Sequence, residues 1–129
     1  MASTAPTPVR PVSIAVPIAA VAAAVVNVIV YFIGQAAGAA LVAGGQPVGV
    51  AQVIIATLVT FALGAGLLWL VARRHPDGAR LLAWIGLGLG VVSVIAPLTM
   101  AADLATGLTL VPMHLVAGIA WFVAVGRRG

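Results

Sequence analysis

The strongest constraint on the fold is a series of four long apolar runs, separated by short polar or glycine-rich segments. The runs cover about residues 12–38, 48–72, 81–100 and 106–125. A helix needs roughly 20 apolar residues to cross the hydrocarbon core of a bilayer, and each run approaches or exceeds that length. Short connections make successive helices antiparallel neighbours. The sequence therefore predicts one all-α domain over residues 12–129, a four-transmembrane-helix bundle.

Composition favours lipid over water as the surroundings of this surface. Hydrophobic residues make up 64% of the 129 residues and charged residues 6%, with two acidic and six basic side chains. A soluble domain is about half apolar and about one quarter charged. Disorder is excluded by the same numbers, because disordered chains are poor in apolar residues and rich in charge.

The positive charges all lie on one side of the predicted bundle. The six basic residues precede the first run, separate the second from the third, or follow the fourth: Arg10, Arg73, Arg74, Arg80, Arg127 and Arg128. Cytoplasmic loops are enriched in such residues, so both termini are predicted in the cytoplasm. For the last five arginines, anionic lipid headgroups are the expected counter-charge, and we expect no nucleic acid partner.

The segments beside the helices carry further signals. Residues 1–11 are small, polar and proline-rich, which predicts a disordered cytoplasmic tail. The first run is far longer than a signal-peptide core, so we expect a retained anchor, with cleavage near residues 36–40 as the alternative. Near the arginine-bearing helix ends, three tryptophans are placed as in an aromatic belt: Trp69, Trp84 and Trp121.

The two halves of the chain show a similar pattern. Asn27 in the first run and Ser93 in the third stand in the same valine and isoleucine frame, and the second and fourth runs both end with Gly-x-x-Trp before two arginines. This pattern suggests two parallel helical-hairpin repeats related by an axis along the membrane normal, with His114 at the position of Ala62. Valine- and alanine-rich helices also align through composition alone, and the sequence leaves that alternative open.

Small residues recur at four-residue spacing in two of the runs. Gly34 and Gly38 form one such pair, and Gly86 and Gly90 form the other. Faces of this kind let membrane helices approach closely, either within one chain or between two copies. We expect packing within one chain, with a dimer contact as the alternative.

Four polar side chains on four different helices lie at a similar depth: Asn27, Thr57, Ser93 and His114. Counted at 1.5 Å per residue, they lie roughly 9–17 Å below the outer surface. Polar groups facing lipid are costly. We therefore expect Asn27, Ser93 and His114 to converge, either as hydrogen bonds between helices or as the lining of a small outward-facing cavity. Pro97 and Pro112 are expected to kink their helices beside this cluster.

Two ionisable residues complete the candidate polar cluster. His114 is an ionisable residue at membrane depth and so a functional hypothesis, but histidine also bonds between membrane helices, which is what we expect here. Asp103 precedes the fourth run, where a carboxylate caps the free N–H groups of a helix.

The chain offers no recognisable catalytic or cofactor site. The absence of cysteine excludes disulfides, thiolate zinc sites and iron–sulfur clusters. His75 and His114 belong to opposite sides of the bundle, which excludes a haem held by both. No metal triad, nucleophile–base pair or phosphate-binding loop is present. The sequence therefore predicts no enzyme, no catalytic residues and no cofactor or metal, so that the purified protein should show no visible absorbance band.

Three segments carry a resemblance to a known family: NVIVYFIGQAAG at 27–38, SVIAPLTMAAD at 93–103 and PMHLVAG at 112–118. They resemble an uncharacterised family of small four-helix actinobacterial membrane proteins, a domain of unknown function. The resemblance covers nearly the whole chain after the tail. It implies four helices and makes Asn27, Ser93, Asp103 and His114 family features, and it implies no activity.

Two functions of different classes remain open from the sequence. We expect a non-enzymatic structural or accessory component of the bacterial plasma membrane, which packs against itself or another membrane protein. The alternative is a protein that binds or transports a small or lipophilic solute through the polar cluster around His114.

Overall fold

The computed structural model describes residues 12–127, so the predicted cytoplasmic tail lies outside the described residues. Within this range the chain forms five helices and one short β-hairpin. The helices are α1 (Val12–Ala36), α2 (Val50–Ala72), α3 (Gly78–Val92), α4 (Ile95–Met100) and α5 (Leu104–Gly126). The strands β1 (Val42–Ala43) and β2 (Gln46–Pro47) pair antiparallel between α1 and α2.

Four stretches of the described chain are helical and apolar enough to cross a membrane: Ile14–Ala36, Val50–Ala72, Gly78–Met100 and Leu104–Gly126, of 23 residues each. At 1.5 Å per residue such a helix extends about 35 Å, more than the roughly 30 Å of hydrocarbon in a bilayer. Large aliphatic side chains cover the outside of the bundle, and Ile33, Leu63 and Leu98 are 63%, 72% and 63% exposed. The predicted all-α bundle of four membrane-spanning helices is confirmed.

The close approach of the helices depends on glycine. Gly90 of α3 faces Gly118 of α5 backbone to backbone, so that a Cβ added at Gly90 would lie 2.7 Å from the Cα of Gly118. Gly34 of α1 is covered in a similar way by the side chain of Thr109 on α5. The expectation that these glycines serve packing within one chain is confirmed at Gly34, Gly86 and Gly90, and it is wrong at Gly38, where an added Cβ would meet no atom within 4 Å. Through these contacts α5 packs on both α1 and α3.

The packing departs from the two-fold symmetry that the repeated pattern suggests. α1 packs closely on α5, and the symmetry-related pair would be α3 and α2. Contacts between α2 and α3 are instead sparse, although the two helices are consecutive in the chain. This asymmetry leaves an open space between α2 and α3. The duplication of the two halves stays a prediction.

The two ends of the bundle differ in chemistry. One end, called the arginine end below, holds the α2–α3 loop and the end of α5, with the described arginines Arg73, Arg74, Arg80 and Arg127. The other end, called the hairpin end, holds β1, β2 and the connection from α4 to α5. The remaining two arginines lie outside the described residues.

Backbone hydrogen bonds tie the hairpin end together. The N–H of Gly44 donates to the carbonyl oxygen of Met100 at 2.9 Å, and the N–H of Ala102 donates to that of Val42 at 2.9 Å. The segment after α4 is therefore joined to the hairpin. Leu41, at a φ of 53°, turns the chain from α1 into the hairpin and keeps its own side chain buried.

The first two helices are shorter than the sequence predicts. α1 ends at Ala36 instead of residue 38, because Gly38 has a φ of 87°, a left-handed conformation that ends helices. α2 begins at Val50 instead of residue 48, because the preceding residues belong to β2 and its turn.

The third helix begins earlier than predicted, at Gly78, and is interrupted at Ser93 and Val94 before it resumes as α4. The interruption precedes Pro97, which has no N–H to continue the helical hydrogen bonds. The fourth predicted helix begins at Leu104 instead of residue 106.

The predicted aromatic belt is wrong for one of its three members. Trp69 and Trp84 are 60% and 56% exposed on the lipid-facing surface, but Trp121 is only 8% exposed. Its indole N–H donates to the carbonyl oxygen of Leu82 at 2.9 Å, inside the bundle. Trp121 is therefore a core residue that joins α5 to α3.

Candidate functional site

A cleft of about 690 Å³ lies between α2 and α3. α5 forms its floor, and Asn27 of α1 borders it beside α2. Along α2 the bordering residues extend from Gln52 to Leu67, about 22 Å at 1.5 Å per residue. Ligand pockets have volumes of about 300–1,000 Å³, so this cleft is large enough to hold a small molecule.

The long side of the cleft is open, and its rim is apolar. Leu63 and Leu67 on α2 and Ile85 and Leu89 on α3 border the cleft and are between 44% and 72% exposed. No charged side chain borders the cleft in the part of the chain that the structure describes. In a bilayer, this opening faces the acyl chains.

Asn27 and Thr57 form a polar pair at the junction of α1 and α2. The amide nitrogen of Asn27 donates to Oγ1 of Thr57 at 3.1 Å, and the Thr57 hydroxyl donates to the carbonyl oxygen of Val53 at 2.8 Å. Asn27 is only 3% exposed, and within residues 12–127 no group donates to its carbonyl oxygen Oδ1. A buried acceptor without a donor costs about 1–3 kcal/mol, which makes Oδ1 unusual in this core.

Ser93 and His114 form a second polar pair, between α3 and α5. Oγ of Ser93 lies 2.8 Å from Nδ1 of His114 and also donates to the carbonyl oxygen of Gly90 at 2.9 Å. The helix interruption explains the second contact. The N–H of Val94 bonds to Val91 instead of Gly90, so the Gly90 carbonyl is left to the serine hydroxyl. The interruption thereby positions Ser93 beside the histidine.

Asp103 lies at the hairpin end, where its carboxylate joins two segments of the chain by hydrogen bonds. Its carboxylate accepts from the N–H of Thr106 at 2.7 Å, which caps α5, and from the N–H of Ala40 at 3.0 Å. The Thr106 hydroxyl, fully buried, accepts from the N–H of Leu41 at 2.9 Å. Hydrogen bonding by the N–H of Thr106 holds the pKa of the Asp103 carboxyl below its ordinary value of 3.8. The predicted capping role is confirmed, and the carboxylate also joins α5 to the chain after α1.

Trp121 closes the cleft toward the arginine end. A glycine on each neighbouring helix, Gly64 on α2 and Gly86 on α3, makes room for the indole ring. Phe61 meets the ring edge to face, with the ring centroids 6.0 Å apart. Trp121 follows His114 by seven residues on α5, about 10 Å along the helix. The cleft is therefore polar near the hairpin end and aromatic near the arginine end.

The structure brings four of the five candidate residues to one cleft: Asn27, Thr57, Ser93 and His114. Asp103 does not border this cleft. The expected contact between Ser93 and His114 is present, but Asn27 bonds to Thr57 and not to Ser93 or His114. Within residues 12–127, no three histidine, aspartate or glutamate side chains lie close enough to share a metal ion. That these residues bind a ligand stays a prediction.

Sequence reasoning missed the placement of Trp121 in the cleft, and it missed two further residues of the cleft floor, Leu110 and Met113. The available signal was the pair of glycines at positions 64 and 86. Glycine in the middle of a membrane helix leaves room for a neighbouring backbone or a large ring. Two such glycines on consecutive helices indicate that a third helix inserts a bulky residue between them.

The fold and the cleft together define a small multi-pass membrane protein with four spanning helices and a cleft on its long side. Residues 7–129 match a family described as a family of unknown function, DUF6069. The chain belongs to this family. Neither a curated protein nor a solved structure matches the chain. The expected membership of an uncharacterised family is thus confirmed.

Proposed function

We propose that the protein binds a lipophilic molecule in the cleft between α2 and α3. The observation that carries this proposal is the cleft itself, about 690 Å³ in volume, open along one side and free of charged residues where the chain is described. Of the two functions that the sequence leaves open, this geometry favours solute binding, because the cleft has the volume of a ligand pocket and has polar side chains toward one end.

The shape of the cleft indicates how its occupant is arranged. The apolar rim residues suit a hydrocarbon chain or ring system, and each buried CH₂ group contributes about 0.8 kcal/mol relative to water. The polar pairs Asn27–Thr57 and Ser93–His114 lie toward one end. The occupant is thus an amphiphile with its polar head toward the hairpin end.

We place the protein in the bacterial plasma membrane, with its arginine end in the cytoplasm, and we propose an actinobacterial origin. The arginine placement supports the orientation. Arg73 stacks over Trp69 with its guanidinium 4.0 Å from the ring centroid, as expected of an anchor at the membrane surface. Anionic headgroups are the proposed counter-charge of this end.

The structural or accessory role remains a rival proposal. The exposed aliphatic faces of the four helices fit lipid and a protein partner equally well, and a homo-oligomer would cover them in the same way. We also propose that the protein is not an enzyme. Ser93 and His114 lie within hydrogen-bonding distance in the cleft, but the serine hydroxyl donates to the carbonyl oxygen of Gly90, and no carboxylate among the described residues borders the cleft to orient the histidine as a base.

A cleft-filling substitution tests binding. Ala56 on α2 borders the cleft, and Ala62 on the same helix is exposed but does not border it. Ala56→Trp should fill the cleft, and Ala62→Trp is the matched control. The variants are extracted with their surrounding lipid into nanodiscs, and retained molecules are measured by native mass spectrometry.

The parent and Ala62→Trp should retain one lipophilic molecule per chain, and Ala56→Trp should lose it. Equal retention by all three would contradict binding in the cleft. A stable homo-oligomer or a co-purifying protein, with no retained small molecule, would support the structural role instead.

A further inference from the structure

The position of one hydrogen atom determines the chemistry of His114. The Ser93 hydroxyl has a single hydrogen, and the carbonyl oxygen of Gly90, 2.9 Å from Oγ, can only accept it. If the hydroxyl donated to the histidine instead, two acceptor oxygens would face each other at hydrogen-bonding distance. The hydrogen therefore points to Gly90, and Nδ1 of a neutral His114 carries the proton that it donates to Ser93.

The other ring nitrogen of His114 is then a bare acceptor. A neutral imidazole has one N–H, and it is used at Nδ1. Nε2 has no partner in the described part of the chain, and the half-buried His114 side chain borders the cleft. At this point the cleft offers an acceptor and no donor.

The same argument applies to Asn27. Thr57 gives its only hydroxyl hydrogen to Val53, so its oxygen can accept but not donate, and the Asn27 amide must face it with the nitrogen. Oδ1 is thereby left as the free end of the amide. Asn27 is 97% buried, borders the cleft, and has no donor to Oδ1 within residues 12–127.

From these two acceptors we infer that the cleft selects an uncharged lipophilic molecule whose polar head donates a hydrogen bond, a long-chain or polycyclic alcohol. This inference rests on the proposed binding function. A hydroxyl satisfies His114 Nε2 or, after a small shift of the amide, Asn27 Oδ1. A charged head is disfavoured because the described residues around the cleft supply no opposite charge, and burial of an unpaired charge is very costly.

The inference is tested with two matched probes. One is a long-chain alcohol that carries bromine at the end opposite the hydroxyl, and the other is its methyl ether, which cannot donate. Bromine quenches tryptophan fluorescence at short range. In the double variant Trp69→Phe/Trp84→Phe, the only tryptophan left is Trp121, which borders the cleft. Quenching of Trp121 in vesicles therefore reports the occupied cleft.

A second reporter measures the amount of each probe in the bilayer. In Trp69→Phe/Trp121→Phe, the remaining Trp84 is 56% exposed on the lipid-facing surface and does not border the cleft. Quenching of Trp84 measures how much alcohol or ether is present in the bilayer. The Trp121 signals of the two probes are then compared at equal amounts of probe in the bilayer.

We expect the alcohol to half-saturate Trp121 quenching at a roughly fivefold to tenfold lower membrane content than the ether, as one hydrogen bond provides. Adding His114→Leu or Asn27→Leu should reduce this preference. Thr99→Val is the matched control, because the Thr99 hydroxyl donates to the carbonyl oxygen of Ile95 and does not border the cleft. It should leave the preference unchanged.

The outcomes separate the two proposals. Equal quenching of Trp121 by alcohol and ether would overturn the donor requirement and leave lipophilic binding intact. A preference for the alcohol that survives both His114→Leu and Asn27→Leu would overturn the assigned position of the head. No saturable quenching of Trp121 by either probe would overturn binding in the cleft itself.

Discussion

A single methyl group at Gly90 should separate two helices of this bundle. The Cβ of alanine there would lie 2.7 Å from the Cα of Gly118 and 3.2 Å from the carbonyl oxygen of His114. Both are backbone atoms, which cannot rotate away as the end of a side chain does. Favourable contacts between carbon atoms begin near about 3.5 Å, so α3 would have to move from α5 by roughly 0.8 Å.

The cost of Gly90→Ala follows from three contributions. Overpacking of a close contact costs about 1–3 kcal/mol. The movement would also stretch the 2.8 Å contact between Ser93 and His114, which crosses the same interface, and such interhelical bonds contribute about 0.6 kcal/mol. Alanine gains roughly 0.5–1 kcal/mol over glycine within a helix. The free energy of unfolding should therefore fall by about 0.5–3 kcal/mol.

Gly88→Ala provides the control, because no atom lies within 4 Å of a Cβ added at Gly88 on the same helix. It has the same gain in helix propensity without the close contact, so its unfolding free energy should be unchanged or higher. Both variants and the parent are unfolded in mixed micelles by increasing the fraction of denaturing detergent, with helix content followed by circular dichroism. If Gly90→Ala proves as stable as Gly88→Ala, the backbone contact between α3 and α5 is refuted.

Three other predictions concern topology, pH and the histidine. Because the chain has no cysteine, the single variants Gln46→Cys and Asp77→Cys can each be labelled in intact cells with a membrane-impermeant maleimide. Only Gln46→Cys should react, and reaction of Asp77→Cys alone would show that the orientation is inverted. The N–H of Thr106 lowers the pKa of Asp103. The ionised carboxylate therefore contributes its full stabilisation above the ordinary pKa, and this stabilisation is lost as the pH falls through the lowered pKa. At pH values below about 4 the Tm of the parent should decrease, and the Tm of Asp103→Asn should not. His114→Leu should lower the free energy of unfolding by about 1 kcal/mol in the same detergent titration, through loss of its hydrogen bond to α3, and no change would show that this bond contributes nothing.

The number and the depth of the helices could be predicted from the sequence, because they depend on distance along the chain. Counting residues placed Asn27, Thr57, Ser93 and His114 at a similar depth, and all four border one cleft. Their partners could not be predicted, because pairing depends on how each helix is rotated about its axis. In a soluble bundle an apolar stripe reveals that rotation. In a membrane bundle the faces toward lipid are as apolar as those toward the other helices, so no apolar stripe reveals the rotation.

The errors at Trp121 and at the hairpin end have a different origin. Trp121 lies about as close in sequence to the C-terminal arginines as Trp69 lies to Arg73, so its position suggests the membrane interface. Only the glycines opposite its ring indicate that it is buried. The hairpin depends on hydrogen bonds between residues 41–44 and residues 100–106. Such contacts between distant segments leave no periodic pattern in either segment, so β1 and β2 were not predicted.

The exposed rim of the cleft lies along α2 and α3, between the α2–α3 loop and the hairpin tied to Met100. If the cleft binds a ligand as proposed, we expect that ligand to enter sideways from the bilayer and not along the helix axis from water. For such a site the relevant concentration is a mole fraction in the lipid. Diluting vesicles with buffer should leave the occupancy of a poorly water-soluble ligand unchanged, whereas adding empty vesicles should lower it. A site of modest intrinsic affinity is then filled whenever its ligand is a regular component of the membrane.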